Sequence, residues 1–144
     1  MVTEFYPYTS HNNDKLYIFQ SAGIQGEIIK MVRFTHIGGR RYNLGLADFE
    51  QGKMVYDRNS NNFDALKVMS TVAEIIRPFT FKHPESEVVI MALEERRLTF
   101  YNAIFKRRLK EISLAFWVWG IKDNNTEETF DPIKHYNGFI VKRK

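Results

Sequence analysis

The sequence contains no cysteine, and this absence excludes three kinds of chemistry. Disulfides, thiolate metal ligands and cysteine nucleophiles all need that side chain. The chain must therefore be held together by its core, for which 144 residues are sufficient. Nothing in the sequence points to an oxidising compartment, so we expect a cytoplasmic protein.

Long hydrophobic runs are also missing. No window approaches the roughly 20 apolar residues that a membrane-spanning helix needs. The opening residues, MVTEFYPYTSHNND, lack the basic start and the apolar run of a signal peptide. We therefore expect no leader and no membrane partner.

Proline and glycine are sparse, at four and eight residues, and no stretch rich in them or in serine divides the chain. We therefore expect one domain over residues 1–144. Residues 1–14 show no clear period and are expected to form an extended lead-in. Apolar alternation between turn signals at SAGIQG (21–26), Gly38-Gly39 and 50–53 predicts a four-stranded antiparallel meander over residues 15–57.

Helical periodicity begins after the meander. Apolar side chains at spacings of three and four predict a helix over residues 62–78 that packs across the sheet. This helix should end near Pro78, because proline lacks the amide donor that a helix interior uses. Residues 87–144 then predict a strand, a basic helix that ends near Ile112, and two further strands. The expected fold is α+β, in the order ββββαβαββ, with a single layer of sheet and two main helices.

The segment from Arg96 to Lys110 carries six basic side chains and no acidic one. The formal net charge is +4, and residues 91–144 hold eleven Lys or Arg against seven acids, whereas residues 1–90 are balanced at ten each. Read as a helix, the segment has an apolar stripe consisting of Leu98, Tyr101, Phe105, Leu109 and Ile112. The opposite side carries a basic row, which consists of Arg96, Phe100, Ala103, Arg107 and Lys110.

The basic row has two interpretations. Cations can neutralise phosphates and an exposed ring can stack on a base, so the row suits a non-catalytic module that binds single-stranded DNA or RNA with low sequence specificity. Its binding residues would be Arg96, Phe100, Arg107 and Lys110, extended by Arg40, Arg41 and the C-terminal tail VKRK. In the plainer interpretation, the cations form the solvated face of an amphipathic helix and Phe100 is covered by a loop or a partner.

Two tryptophans offer a second surface. Trp117 and Trp119 share one face of the strand predicted after the basic helix, and that face is either core or a stacking or dimer surface. The aromatic share of 15% is high for a small chain without a catalytic motif. The alternative function is therefore a protein-interaction module, either a homodimer or one partner of a toxin–antitoxin or phage-defence pair.

Catalytic and metal-binding arrangements have little support. A triad of Ser21, His135 and Asp131 lacks the G-x-S-x-G elbow. SAGIQG lacks the Gly-Lys-Ser/Thr ending of a phosphate loop and precedes a strand, so it is expected to be a β-turn. The histidines lie on separate loops and strand ends, with no metal-ligand spacing between them: His11, His36, His83 and His135.

A carboxylate group is the remaining candidate for a metal. Asp48, Glu50 and Asp57 flank the last two strands of the predicted meander and could meet around a divalent cation, although carboxylates at strand ends are usually solvated. We expect no catalytic residue, no metal and no cofactor, and the sequence leans away from an enzyme.

Two resemblances to known families are visible. The residues from GEIIKMVRF through YNLGLADFE to NNFDALKVMSTVAEIIRPF resemble a family of small bacterial proteins of unknown function, marked by YNLG, a following Asp and a helix close to STVAEII. The resemblance spans Leu16 to Phe79, and the chain departs from it around Ala92–Leu98. The second strand and the helix are also similar to PUR-type repeats, which bind single-stranded nucleic acid. That similarity implies a nucleic-acid-facing sheet that involves Lys30, Arg33 or neighbouring aromatics.

Overall fold

The computed structural model describes residues 5–50, 52–56, 64–91 and 95–144. These residues form nine strands in one sheet and two helices. The helices are α1 (Ala65–Lys82) and α2 (Glu95–Ala115). The strands are β1 (Tyr8–His11), β2 (Leu16–Gly23), β3 (Gly26–Gly38), β4 (Arg41–Glu50), β5 (Lys53–Tyr56), β6 (Glu87–Met91), β7 (Phe116–Ile121), β8 (Glu127–Thr129) and β9 (Gly138–Arg143).

The predicted meander is confirmed. Strands β2 to β5 pair antiparallel with their neighbours in chain order, and Gly26, Gly38 and Gly39 have positive φ at the turns between them. The lead-in differs from the expectation, because β1 pairs antiparallel with β2 and extends the sheet at this edge. Residues 122–132, the polar stretch KDNNTEETFDP that the sequence predicts to be a loop, contain the short strand β8, which pairs with β7.

The order of strands across the sheet is β1-β2-β3-β4-β6-β9-β7-β8, and β5 also pairs with β4. Strands β4 and β6 are parallel, so α1 acts as the crossover between them. Strand β9 lies between β6 and β7 and is antiparallel to both. The α+β content and the single layer of sheet are therefore confirmed, while the sheet is larger than predicted and partly parallel.

Helix α1 continues past Pro78 to Lys82, so the predicted end near Pro78 is wrong. Proline removes one backbone hydrogen bond from a helix, but burial outweighs this loss here. Phe79 and Thr80 are both fully buried, and the Thr80 hydroxyl donates to the carbonyl of Ile76 at 2.7 Å. The helix closes where the His83 amide donates to the carbonyl of Phe79 at 2.9 Å.

One core joins both helices to the same face of the sheet. Phe34 of β3 stacks on Phe79 of α1 with ring centroids 3.8 Å apart, and Phe139 of β9 stacks on Phe105 of α2 at 4.3 Å. The strand residues between these side chains face the helices in alternate positions: Val32, Leu44, Val88, Phe116, Val118 and Val141. We call the other side of the sheet, which neither helix covers, the open face.

No helix within the described ranges combines the length and the apolar character needed to cross a membrane.

The edge of the sheet at β8 gives a prediction about acid stability. The Tyr136 hydroxyl donates to Glu128 at 2.6 Å, and together with Lys134 and Lys122 it lowers the pKa of Glu128 from its usual 4.5 to about 2. A lowered folded-state pKa stabilises the fold above pH 4.5, and this stabilisation is lost as the pH falls towards 2. We expect Glu128→Gln to flatten the fall in urea midpoint across this window. An unchanged slope in the variant would contradict the assignment.

Candidate nucleic-acid interface

The structure places most of the predicted basic row on the surface of α2. Arg96, Arg107 and Lys110 are exposed, whereas Phe100 is half-buried and packs against the core. The reason is that the buried stripe is wider than the sequence suggests, since Ile104, one turn beyond Phe100, packs against the same core. The ring at Phe100 is therefore less available for stacking than the sequence suggests.

Arg97 is a buried cation for which the sequence predicts no role. Strand β4 pairs with β6 over its first four residues and with β5 over its last four, which leaves Gly45 and Leu46 without a strand on that side. The Arg97 side chain reaches this gap between β5 and β6, where it donates a hydrogen bond to the carbonyl of Leu46 at 3.4 Å. The one indication in the sequence that Arg97 is buried is its position beside Leu98, at the edge of the apolar stripe.

Arg40 and Arg41 lie at the turn between β3 and β4, where carboxylates from neighbouring strands meet them. Arg41 donates two hydrogen bonds of 2.7 Å to Glu127 and one of 3.1 Å to Glu87. These bonds raise the pKa of the Arg41 guanidinium and lower the pKa of Glu127. Arg40 lies 3.7 Å from Glu85. These contacts hold both arginines at this acidic corner and not at α2.

The C-terminal tail, in contrast, joins the end of α2. The Lys144 amide donates to the carbonyl of Ala115 at 2.8 Å, and Lys144 Nζ donates to the carbonyl of Ser113 at 2.5 Å. A cation at this position satisfies free helix carbonyls and complements the helix dipole. Arg143 turns inward, where its guanidinium lies 5.3 Å from the Phe116 ring.

Trp117 lies beside this tail on the open face. Its side chain is 55% exposed, and Lys144 Nζ lies 4.3 Å from the centre of its ring. Lys142 is its cross-strand partner on β9, so the two side chains share the open face. We call Trp117, Lys142 and Lys144 the Trp117 patch. Lys110 lies on α2, one helical turn before Ser113, on the side of the sheet that the helices cover.

Over the ranges that the structure describes, Lys142 and Lys144 form no ion pair, and the same holds for Lys110 and Arg107 on α2. Glu87 of β6 is the cross-strand neighbour of Lys142, but its carboxylate accepts a hydrogen bond from Arg41. Trp119 differs from Trp117, because it packs in a small apolar cluster with Val89, Ile121 and Ile140 on the open face. The two tryptophans share a face, as predicted, but only Trp117 presents most of its ring to solvent.

The sheet does not bring the imagined triad together. Ser21 is on β2 and His135 precedes β9, so the strand order places them towards opposite edges of the sheet. Ser21 and Tyr6 instead both donate to Asp64 at the start of α1, at 2.5 Å each.

Of the expected carboxylate group, Asp48 and Glu50 lie two residues apart on β4. Asp48 faces the helices, is 1% exposed, and accepts a hydrogen bond from Lys30 at 2.5 Å. Lys30 is therefore a core residue and does not face the open side, where Arg33 lies. Asp57 falls outside the described residues. Among those described, no three His, Asp or Glu side chains are grouped so that they could hold a metal ion.

Comparison with known proteins supports the first resemblance and not the second. No curated protein and no solved structure matches the chain, and nothing in the comparisons indicates similarity to PUR-type repeats. The model of a family of unknown function, DUF6934, matches residues 2–144. Because the match spans nearly the whole sequence, the chain belongs to the DUF6934 family.

Proposed function

We propose that the chain binds single-stranded nucleic acid with low sequence specificity through the Trp117 patch. The observation that carries the proposal is an exposed Trp117 ring with two lysines beside it, Lys142 and Lys144, that form no ion pair with any described residue. Bases stack on exposed aromatic rings regardless of their identity, and lysines bind the phosphates that link them. Arg107 and Arg96 on α2 would extend the cationic surface along the helix.

This proposal changes the role of individual residues while keeping the predicted ligand. Trp117 takes the stacking role first considered for Phe100, because the Phe100 ring is half-buried against the core. Lys110 and Arg107 keep the phosphate contacts predicted for them. Arg40 and Arg41 contribute little, since their carboxylate partners already neutralise them.

Fluorescence anisotropy with a labelled oligothymidylate tests the proposal. We expect binding that weakens steeply with salt, and we expect Trp117→Ala to weaken it by about tenfold through the lost stacking. Lys142→Glu should lower the slope of log affinity against log salt by about one unit. No binding at about 100 µM protein in low salt would rule the proposal out.

Matched controls separate the patch from general surface effects. Ile133 is 88% exposed and lies in the loop between β8 and β9, so Ile133→Ala removes an exposed apolar side chain elsewhere. Lys53→Glu makes the same charge change on β5, beyond β4. If the controls weaken binding as much as the patch variants, the contact is diffuse electrostatic attraction and the assignment to Trp117 is wrong.

A second candidate is a protein-interaction surface at the same place. It is favoured by Leu114, which is 81% exposed at the end of α2, close to the tail that borders Trp117. Two apolar side chains exposed near each other are typical of interface centres. Light scattering distinguishes the candidates: a dimer that Trp117→Ala converts to a monomer supports the interface, and a clean monomer excludes the homodimer.

A further inference from the structure

We propose that a cavity between α1 and α2 binds a small amphipathic carboxylate, such as a medium-chain fatty acid. The cavity measures about 250 Å³ and opens to solvent between the two helices. None of the residues that line the cavity belongs to the Trp117 patch, so failure of one proposal would not affect the other.

Most of the side chains that line the cavity are apolar. Helix α1 contributes Val72 and Ile76, helix α2 contributes Ile104 and Phe105, and Val141 of β9 lies at the sheet side. A void between such apolar side chains costs stability, because the lining atoms lose dispersion contacts. Water gains little against this apolar part of the wall, since it needs several polar partners. The lining therefore suits a hydrocarbon body.

Two polar groups at the cavity, Arg108 and Ser70, make no side-chain hydrogen bond or ion pair with the residues that the structure describes. Arg108 is half-buried at the lining and forms no ion pair across the described part of the chain. Ser70 is 6% exposed, and its hydroxyl makes no hydrogen bond there either. A carboxylate is a headgroup that suits either group, because a guanidinium and a hydroxyl can each donate to its oxygens.

The other charged residues of the lining do not supply that carboxylate. Glu74 pairs with Arg77 at 3.5 Å on the same helix. Glu111 is one turn from Arg108, but it is exposed and makes no ion pair with Arg108. Among the described residues, Arg108 is thus the lining cation without a partner, and the ligand's carboxylate would be its counter-ion. This assignment also predicts that an uncharged ligand of the same length binds less well.

Titration calorimetry on the full chain with three probes of equal chain length tests the inference. Decanoate, decanol and decyltrimethylammonium are compared below their micelle-forming concentrations. We expect decanoate to bind roughly tenfold more tightly than decanol, a difference typical of one charge-assisted hydrogen bond. Equal affinities for decanoate and decanol would show that no headgroup is recognised. Preference for the trimethylammonium probe would assign the mouth to Glu74 and Glu111, and either result overturns the proposal.

Variants locate the binding. Arg108→Gln should remove the preference for decanoate over decanol, while Arg107→Gln, at the neighbouring exposed position, should leave it unchanged. Ala73→Phe places a ring in the cavity and should abolish binding of both probes. Circular dichroism and thermal melting check that the variants fold. Decanoate should raise the melting temperature of the unsubstituted protein but not that of Ala73→Phe. Decanoate affinity that survives both Arg108→Gln and Ala73→Phe would place the site elsewhere.

Discussion

Lys30→Met is expected to lower the free energy of unfolding by about 3–5 kcal/mol, because it leaves a buried carboxylate without its counter-ion. Lys30 and Asp48 are cross-strand neighbours on β3 and β4, 3% and 1% exposed, with Nζ and Oδ1 2.5 Å apart. The second oxygen of Asp48 is buried without a hydrogen-bond partner. Removing the ammonium therefore leaves the whole carboxylate uncompensated. Urea unfolding followed by circular dichroism measures the change.

A double variant separates the worth of the pair from the cost of breaking it. Replacing both partners by apolar residues is often nearly neutral, since neither charge then has to be desolvated. We expect Lys30→Met/Asp48→Leu to recover most of the stability that Lys30→Met loses. Lys53→Met is the control for the same substitution on an exposed lysine and should stay within about 0.5 kcal/mol. A single variant as stable as this control would show that Asp48 finds another donor.

Phe79→Ala is expected to cost about 3–5 kcal/mol, the range for truncating a buried aromatic. Phe79 is fully buried, stacks on Phe34 at 3.8 Å and meets the edge of Tyr42 at 5.3 Å. Its position immediately after Pro78 makes the result informative about the helix as well. A large loss confirms that packing of this last turn is what carries α1 past the proline.

Helix α1 contains its own control for this prediction. Phe81 lies two residues further on and is 78% exposed, so Phe81→Ala removes the same ring from the solvent side. We expect its effect to stay within about 0.5 kcal/mol. If both variants lose little stability, the last turn of α1 is dispensable and the account of Pro78 is wrong.

The parts of the fold that follow from local sequence were predictable. The meander is predictable because its alternation and its turn glycines, such as Gly38 and Gly39, act over a few residues. The parallel pairing of β4 with β6 and the insertion of β9 join distant parts of the chain, and no local pattern encodes them. Strand β8 has only three residues and is too short to show a period.

The candidate site was predictable to a similar extent. The cations of α2 can be read from the sequence, since charge and helical spacing are local properties. Whether Trp117 is core or surface depends on which face of the sheet the helices cover, and alternation alone gives two equivalent answers. Phe100 was predicted to be exposed and is partly buried, because its burial depends on the rotation of α2 about its own axis against the sheet. The unfilled cavity beside Arg108 depends on the separation of the two helices.

The central position of β9 has a consequence for synthesis. A ribosome delivers β1 to β6 and both helices before β9 exists, yet β9 is the strand that bridges β6 and β7. Until β9 emerges, β6 presents an unpaired edge made of Val88, Val89 and Ile90, and such edges are the usual sites of aggregation. The nascent chain, more than the finished protein, is therefore the form that needs protection by chaperones.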